Sequence, residues 1–284
     1  MTIVSVIIPH YNDLKNLRNC LSALKNQSYD ANLTEIIIVD NNSICPRSEI
    51  EAAIGGRASL IIEKQQGAGP ARNAGVAASR GEILAFIDSD CTPSPDWISN
   101  GIQGLEASDF AGGRVDVTAR DASNLTPSEA FETVFAFDFK HYIERKRFTG
   151  SGNMFVWRHV FLDVGGFRNA LSEDMDWSHR AIKAGYRLSY IEAAAVSHPA
   201  RHSFKELQAK WRRVVSESFE YDVAHGKGKL SWAAKALVVA VSPFPHALKI
   251  MRSQKIKGKN KIGAAFVLFG IRLYRSKEMI AKLI

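Results

Sequence analysis

Through the first ninety residues, short β-branched runs alternate with segments whose apolar positions recur every three or four residues. Val4–Pro9 is apolar without a polar alternation, the pattern of a strand buried on both faces. Leu14, Leu17, Leu21 and Leu24 then form a helical stripe, with Asn12 or Asp13 placed to cap it. Glu35–Asp40, Leu60–Glu63 and Ile83–Asp88 read as further strands, and Pro70–Ser79 as an Ala-rich helix. That order predicts an α/β fold with a mostly parallel, doubly wound sheet flanked by helices. Beyond residue 100 the pattern turns helical and aromatic from Ser128 to Phe148, with Phe131, Phe135, Phe137, Phe139 and Tyr142. Gly150–Asn153 reads as a loop, and Met154–Val164 leads to a Gly165-Gly166-Phe167 turn. Ser172–Gly185 is predicted as a helix with an acidic start, Arg187–Ile191 as a strand, and His198 falls in a loop after Val196. Phe204–Tyr221 carries the stripe of one more helix, and no internal repeat is present.

The 284 residues are 46% hydrophobic and 23% charged, which excludes disordered and collagen-like classes. Cys20, Cys45 and Cys91 are odd in number and form no C-x-x-C pair, so a disulfide framework and a zinc site are not suggested and a reducing compartment fits. The net charge of +8 conceals an asymmetry. Residues 201–284 hold 18 Lys and Arg against 5 Asp and Glu, a net of +13, so residues 1–200 are net −5. A basic tail on a mildly acidic body points to an anionic partner.

Met1–Pro9 has no basic leader and reads as a strand, so no export signal is expected. Trp232–Val241 and Ile262–Ile271 are each about ten residues long, whereas a spanning helix needs roughly 20. The chain is therefore not expected to cross a membrane. Lys255–Ile284 mixes cations with Ile262, Phe266, Val267, Phe269, Leu273 and Tyr274, as an interfacial helix on anionic lipid would, or a helix packed on the protein itself. No nucleic-acid-reading module accompanies the charge, so nucleic acid is not an expected partner.

Candidate chemistry lies where the strands end. Tyr11–Asp13, Asp40–Ser43 and Asp88–Asp90 follow successive strands, at the edge where open α/β sheets bind ligands. Asp88 and Asp90, two residues apart, are expected to face one spot, and crowded carboxylates call for a cation such as Mg2+ or Mn2+. His198 joining them would favour Mn2+. Gly67-Ala-Gly69-Pro-Ala-Arg72 approaches a G-x-G-x-x-G fingerprint, with Asp88 near the distance of a ribose-binding acid, so an NAD(P)-dependent oxidoreductase is a competing reading. Arg72 in the third glycine's place suits a diphosphate better. Glu173-Asp174-Met-Asp176 opens a helix, where acids are favoured by the dipole and where one of them could serve as a general base.

Taken in order, nine segments resemble the inverting GT-A glycosyltransferases of family 2. They are Ser5-Val-Ile-Ile-Pro-His-Tyr-Asn-Asp13, Ile38-Val-Asp-Asn-Asn-Ser43, Gly69-Pro-Ala-Arg-Asn-Ala-Gly75, Ile87-Asp-Ser-Asp90, Gly152-Asn153, Gly165-Gly-Phe167, Glu173-Asp-Met-Asp-Trp177, Gly185-Tyr186 and Val196-Ser-His198. The resemblance covers about residues 3–200. It implies a nucleotide-sugar-binding half (1–100) and an acceptor-binding half (101–203) of a catalytic domain, followed by a helical basic region, 204–284. It places Pro9, Tyr11, Asp13, Asp40, Arg72, Asn73, Asp88 and Ser89 on the nucleotide sugar. Asp90, His198 and Asp88 become ligands of Mn2+ or Mg2+, Asp174 the catalytic base, and Asn153, Glu173 and Trp177 the acceptor side. The expected reaction moves one sugar, from a UDP-linked donor by default, to a saccharide or polyprenyl-pyrophosphate-linked acceptor at the inner face of the cytoplasmic membrane. Bacterial members of this layout build exopolysaccharide or lipopolysaccharide. Processive members carry Q-x-x-R-W; here Gln208-Ala-Lys-Trp211-Arg212 has the last two transposed, which favours a single transfer. A degenerate, membrane-bound scaffold is the non-enzymatic alternative, and the oligomeric state is open.

Overall fold

The computed structural model describes residues 2–56, 58–169 and 171–284. The predicted alternation is present as β1 (Val4–His10), α1 (Leu14–Lys25), β2 (Thr34–Asp40), α2 (Arg47–Ile54), β3 (Ser59–Ile62), α3 (Ala68–Ala78) and β4 (Ile83–Ile87). These strands pair in parallel, β1 between β2 and β4 and β2 against β3. Every residue of β4 is buried, as its uninterrupted apolar run requires. Asp13 caps α1 by accepting the Asn16 N–H at 3.1 Å.

β5 (Thr92–Pro93), α4 (Trp97–Leu105), β6 (Phe110–Thr118), α5 (Pro127–Phe135), α6 (Phe139–Lys146), β7 (Asn153–Trp157), α7 (Arg158–Val164), α8 (Glu173–Lys183) and β8 (Leu188–Pro199) follow. The eight strands form one mixed sheet in the order β3-β2-β1-β4-β7-β6-β8-β5, antiparallel from β4 to β7 and from β7 to β6. Two local expectations change. Asn153 opens β7 and does not lie in a loop, and β8 runs on through Glu192-Ala-Ala-Ala to include His198. Alanine carries little strand preference, so pairing in the sheet sets that extension.

By internal packing the chain divides into two compact units. The first comprises Met1–Asp116, Asp138–Asn169 and Glu173–His198; the second comprises Val117–Phe137, Ala170–Ser172 and Pro199–Ile284. The division does not follow the expected break at residue 203, because α5 groups with the C-terminal helices: its Ala130, Phe131 and Val134 share a core with Leu207, Ile250 and Leu268. The aromatic stretch 128–148 is accordingly two helices, parted at Phe137, whose φ is +54°.

The core of the first unit is aromatic. Trp177 is fully buried, edge-on to Phe110 with centroids 5.2 Å apart and stacked on Phe161 at 5.4 Å. The helical unit holds α9 (Phe204–Ala224), α10 (Lys229–Val241), α11 (Pro243–Arg252) and α12 (Lys259–Ala281). α12 is its central element, packed on α5, α9, α10 and α11 and burying Ala264, Val267, Leu268 and Ile271. The stretch expected either on lipid or packed on the protein thus buries one apolar face, while its Ile262, Phe266 and Leu273 stay exposed.

Candidate active site

The carboxyl ends of β1, β2 and β4 stand side by side, because parallel pairing brings equivalent strand ends to one edge. At β1, His10 is buried and its Nδ1 lies 3.0 Å from Asp40 Oδ1 at the end of β2. Its Nε2 accepts the Asp13 N–H at 3.2 Å, so the ring proton sits on Nδ1 and is donated to Asp40. Asp40 also accepts the Ser43 N–H at 3.0 Å and the Ser43 hydroxyl, and its carboxylate is nearly enclosed. Asp40, expected on the nucleotide, is therefore occupied in bracing the β1 and β2 termini. Tyr11 is half exposed beside this brace, with Pro9 and Asp13 partly exposed.

The centre of the site is Arg72, delivered from α3 and almost fully buried. Its Nη2 donates to Asp88 Oδ1 at 2.6 Å and its Nη1 to Glu173 Oε1 at 3.3 Å. Burial pulls the guanidinium's pKa down, but Asp88, Asp174 and Glu173 outweigh it and hold that pKa above the ordinary value. Asp174, at the start of α8, is pushed from 3.8 up to about 6, by burial first and then by Glu173, with Arg72 opposing. Two buried polar atoms in this cluster have no partner, Arg72 Nε and Asp174 Oδ1, while the Ser151 hydroxyl lies close enough to Asp174 to oppose the rise of its pKa. Such atoms cost about 1–3 kcal/mol each when unpaired, and beside the Arg72 charge cluster they leave positions that a ligand's polar groups can satisfy. Ser151 carries no sequence signal of its own beyond its Gly150-Ser-Gly152 loop, and only the fold brings it here. A Cβ at Gly152 would lie 2.6 Å from Asp88 Oδ2 and would displace that carboxylate from its place beside Arg72.

The expected crowding of Asp88 and Asp90 is not what the turn does. Asp88 goes to Arg72, whereas Asp90 Oδ2 lies 3.1 Å from His198 Nε2 on β8, with Ser89 partly exposed between them. Among the described residues no group of three or more His, Cys, Asp or Glu side chains is gathered as a metal cage. Asp88, engaged by Arg72 through Oδ1, is not gathered with Asp90 and His198. The remaining pair, one third-exposed carboxylate and one imidazole nitrogen, is a donor set that fits a divalent ion whose other positions face a substrate.

Three further expectations are corrected. Asn73 is bonded to the main chain of Phe167 in both directions, at 2.8 and 2.9 Å, and so clamps the Gly-Gly-Phe turn. Asn153 is fully buried, accepting from Trp97 Nε1 at 2.8 Å and donating to the Arg114 and Ala194 carbonyls at 2.9 Å. Trp177 is a core residue whose indole N–H donates to the Gly165 carbonyl at 2.9 Å. Neither has surface to offer an acceptor; of that set Glu173 alone lies in the site. Gly67 and Gly69 face Asn169 and Phe167 of the same chain, so these glycines serve internal packing and not a dinucleotide.

A parallel N-terminal half, a mixed sheet completed by antiparallel strands and acids at the shared strand edge define a GT-A fold. Over its whole length the chain resembles a mannosyltransferase from Pyrobaculum calidifontis solved with GDP-Man and Mn2+, at 20% identity and a TM-score of 0.61, covering 99% of this chain and 85% of that one. The glycosyl transferase family 2 model matches residues 5–169, more than half of the sequence. Glycosyltransferase AglE of Haloferax volcanii is 36% identical over 219 residues, 74% of this chain and 71% of that protein. The pre-mycofactocin glycosyltransferase of Mycobacterium tuberculosis is 27% identical over 224 residues, 73% of this chain and 45% of its own length. The chain belongs to glycosyl transferase family 2.

Proposed function

We propose that this protein transfers a single sugar, with inversion, from a nucleoside-diphosphate sugar to a hydroxyl of a saccharide or lipid-linked acceptor. The observation that carries the reading is the unpartnered Asp174 Oδ1 beside Arg72, on a carboxylate whose pKa is raised to about 6. Such a group is ionised at neutral pH and still basic enough to take a proton, the condition for general-base catalysis. Asp174 accepts the proton of the acceptor hydroxyl while that oxygen bonds to the anomeric carbon. The bond from that carbon to the diphosphate oxygen breaks on the opposite face, and its electron pair leaves with the diphosphate. Arg72, next to Asp174, supplies a fixed positive charge to the site, and its Nε has a free N–H to donate.

Asp90 with His198 would hold a divalent ion, Mn2+ or Mg2+, which when bound supplies Lewis-acid neutralisation of the leaving group. A UDP-linked sugar is the donor we assign. We assign the product to exopolysaccharide or lipopolysaccharide assembly at the inner face of the cytoplasmic membrane, a setting for which the basic helical unit is the supporting feature. A thermal-shift series with UDP- and GDP-sugars, with and without Mn2+, tests the donor: at 100 times Kd the ligand adds about 2.7 kcal/mol. Response to GDP-sugars alone would replace uridine. Retention of anomeric configuration in the product, read by NMR, would overturn the single-displacement mechanism.

A further inference from the structure

The helical unit leaves an apolar surface uncovered. On α11, Phe244, Leu248 and Met251 lie at i, i+4 and i+7, one helical stripe, and each is more than half exposed. Phe244 meets Phe269 of α12 edge-on at 5.5 Å, which joins this stripe to the exposed Phe266 one turn away. Across Ser242, α10 presents Leu237 and Val241, also more than half exposed. Scattered exposed apolar residues need no explanation, but stripes on three consecutive helices, tied by a ring contact, form a patch that marks an interaction site.

The charge around the patch selects the partner. Between Asp222 and Glu278 there is no acidic residue at all, while that stretch holds twelve Lys and Arg. Lys227 and Lys235 are engaged by Asp222; Lys249, which also lies over the Phe135 ring, and Arg252 sit on α11, and Lys255, Lys257, Lys259 and Lys261, the last donating to the Met251 carbonyl, lead into α12. We propose that α11, with the adjoining stripes of α10 and α12, seats the helical unit in the headgroup region of an anionic bilayer. It rests on the membrane location proposed above only for its setting, and gives that location a surface.

Lysines beside an apolar stripe suit this interface, because their methylene stems cover apolar surface while the ammonium groups reach lipid phosphates. A second copy of the chain is a poor fit: two acid-free basic surfaces would repel, and the cores of protein interfaces are depleted in lysine. A span is a poor fit as well. No single helix among the described residues is long and apolar enough to cross a membrane, and although α10 and α11 together meet the length and composition of one, they bend by 42° at their junction.

The test is flotation of the full chain with phosphatidylcholine vesicles, with and without about one-third phosphatidylglycerol. At least tenfold stronger recovery with the anionic vesicles is expected, together with release by alkaline carbonate. Phe244→Asp combined with Leu248→Asp, and separately Lys255, Lys257, Lys259 and Lys261 all changed to Gln, should each lower recovery at least tenfold. The lysine set keeps the test sound if the aspartates disturb folding. Equal recovery with both vesicle types, retention after carbonate, or a dimer in light scattering that Phe244→Asp dissolves would each overturn the proposal. Thermal shift by nucleotide sugar without lipid reads the donor site separately, so failure of one reading leaves the other standing.

Discussion

Two buried charge clusters in this chain use the same residue types to opposite ends. In the helical unit, Glu132 is enclosed by Arg201 at 3.0 Å and Lys210 at 2.9 Å and also accepts the Arg201 N–H at 2.8 Å. Burial pushes the Glu132 pKa up, but the two cations outweigh it and hold it below the ordinary glutamate value. In the first unit, one cation, Arg72, faces Asp88, Glu173 and Asp174, and atoms of both signs are left without partners. A closed cluster of this kind holds helices in register. An open one with an excess of acid stores a proton acceptor and a place for a ligand, at a cost in stability. The difference separates a structural ion pair from a reactive one without reference to any relative.

The largest test of that contrast is Asp174→Asn. Transfer should fall about 10²–10⁴-fold in kcat, with donor binding by thermal shift unchanged. The same variant should be more stable. A native pKa raised above the unfolded value means the folded state holds the proton more tightly, so stability falls as pH rises from about 4 to about 6 and stays lowered above it. At pH 7.5 the substitution removes that penalty, a gain of about 1–3 kcal/mol in urea unfolding. A loss of stability would mean the cluster is structural after all. Glu132→Gln should act in reverse, lowering stability by about 3–5 kcal/mol because Lys210 and Arg201 are left buried without their counter-charge. A drop under 1 kcal/mol would show that water reaches the pair.

The pH profile is a smaller effect of the same group. The rate should decline tenfold per unit below about pH 6, and that limb should vanish in Asp174→Asn. Arg47→Ala, which breaks an exposed i,i+4 pair with Glu51, sets the baseline and should cost no more than about 0.5 kcal/mol.

The parallel half of the sheet and the acids on its edge could be read from residue order, since a strand buried on both faces admits few polar residues except where it ends. Arg72 and Asp174 were legible for the same reason, each being a charge at a helix start after a strand or turn. Trp177 and Asn153 were misplaced because a motif records that a residue type recurs, and says nothing of whether its polar atom points to a substrate or to a neighbouring carbonyl. The split of Asp88 from Asp90 was hidden too, since it depends on a guanidinium sixteen positions away in the chain. On the helical tail, amphipathic spacing identified α12 but not which of its residues the neighbours would cover: Val267, Leu268 and Ile271 are buried, Ile262 and Phe266 stay exposed, and α11 adds an exposed stripe of its own.

Local patterning was enough to establish the succession of strands and helices, the strand edge where the candidate site lies and the basic character of the C-terminal region. These follow from burial and backbone preference acting over a few residues. Which carboxylate meets Arg72, which one is left to Asp174's proton, and which helix stays uncovered were decided only on folding, because each is a competition among groups distant in sequence for one partner or one surface.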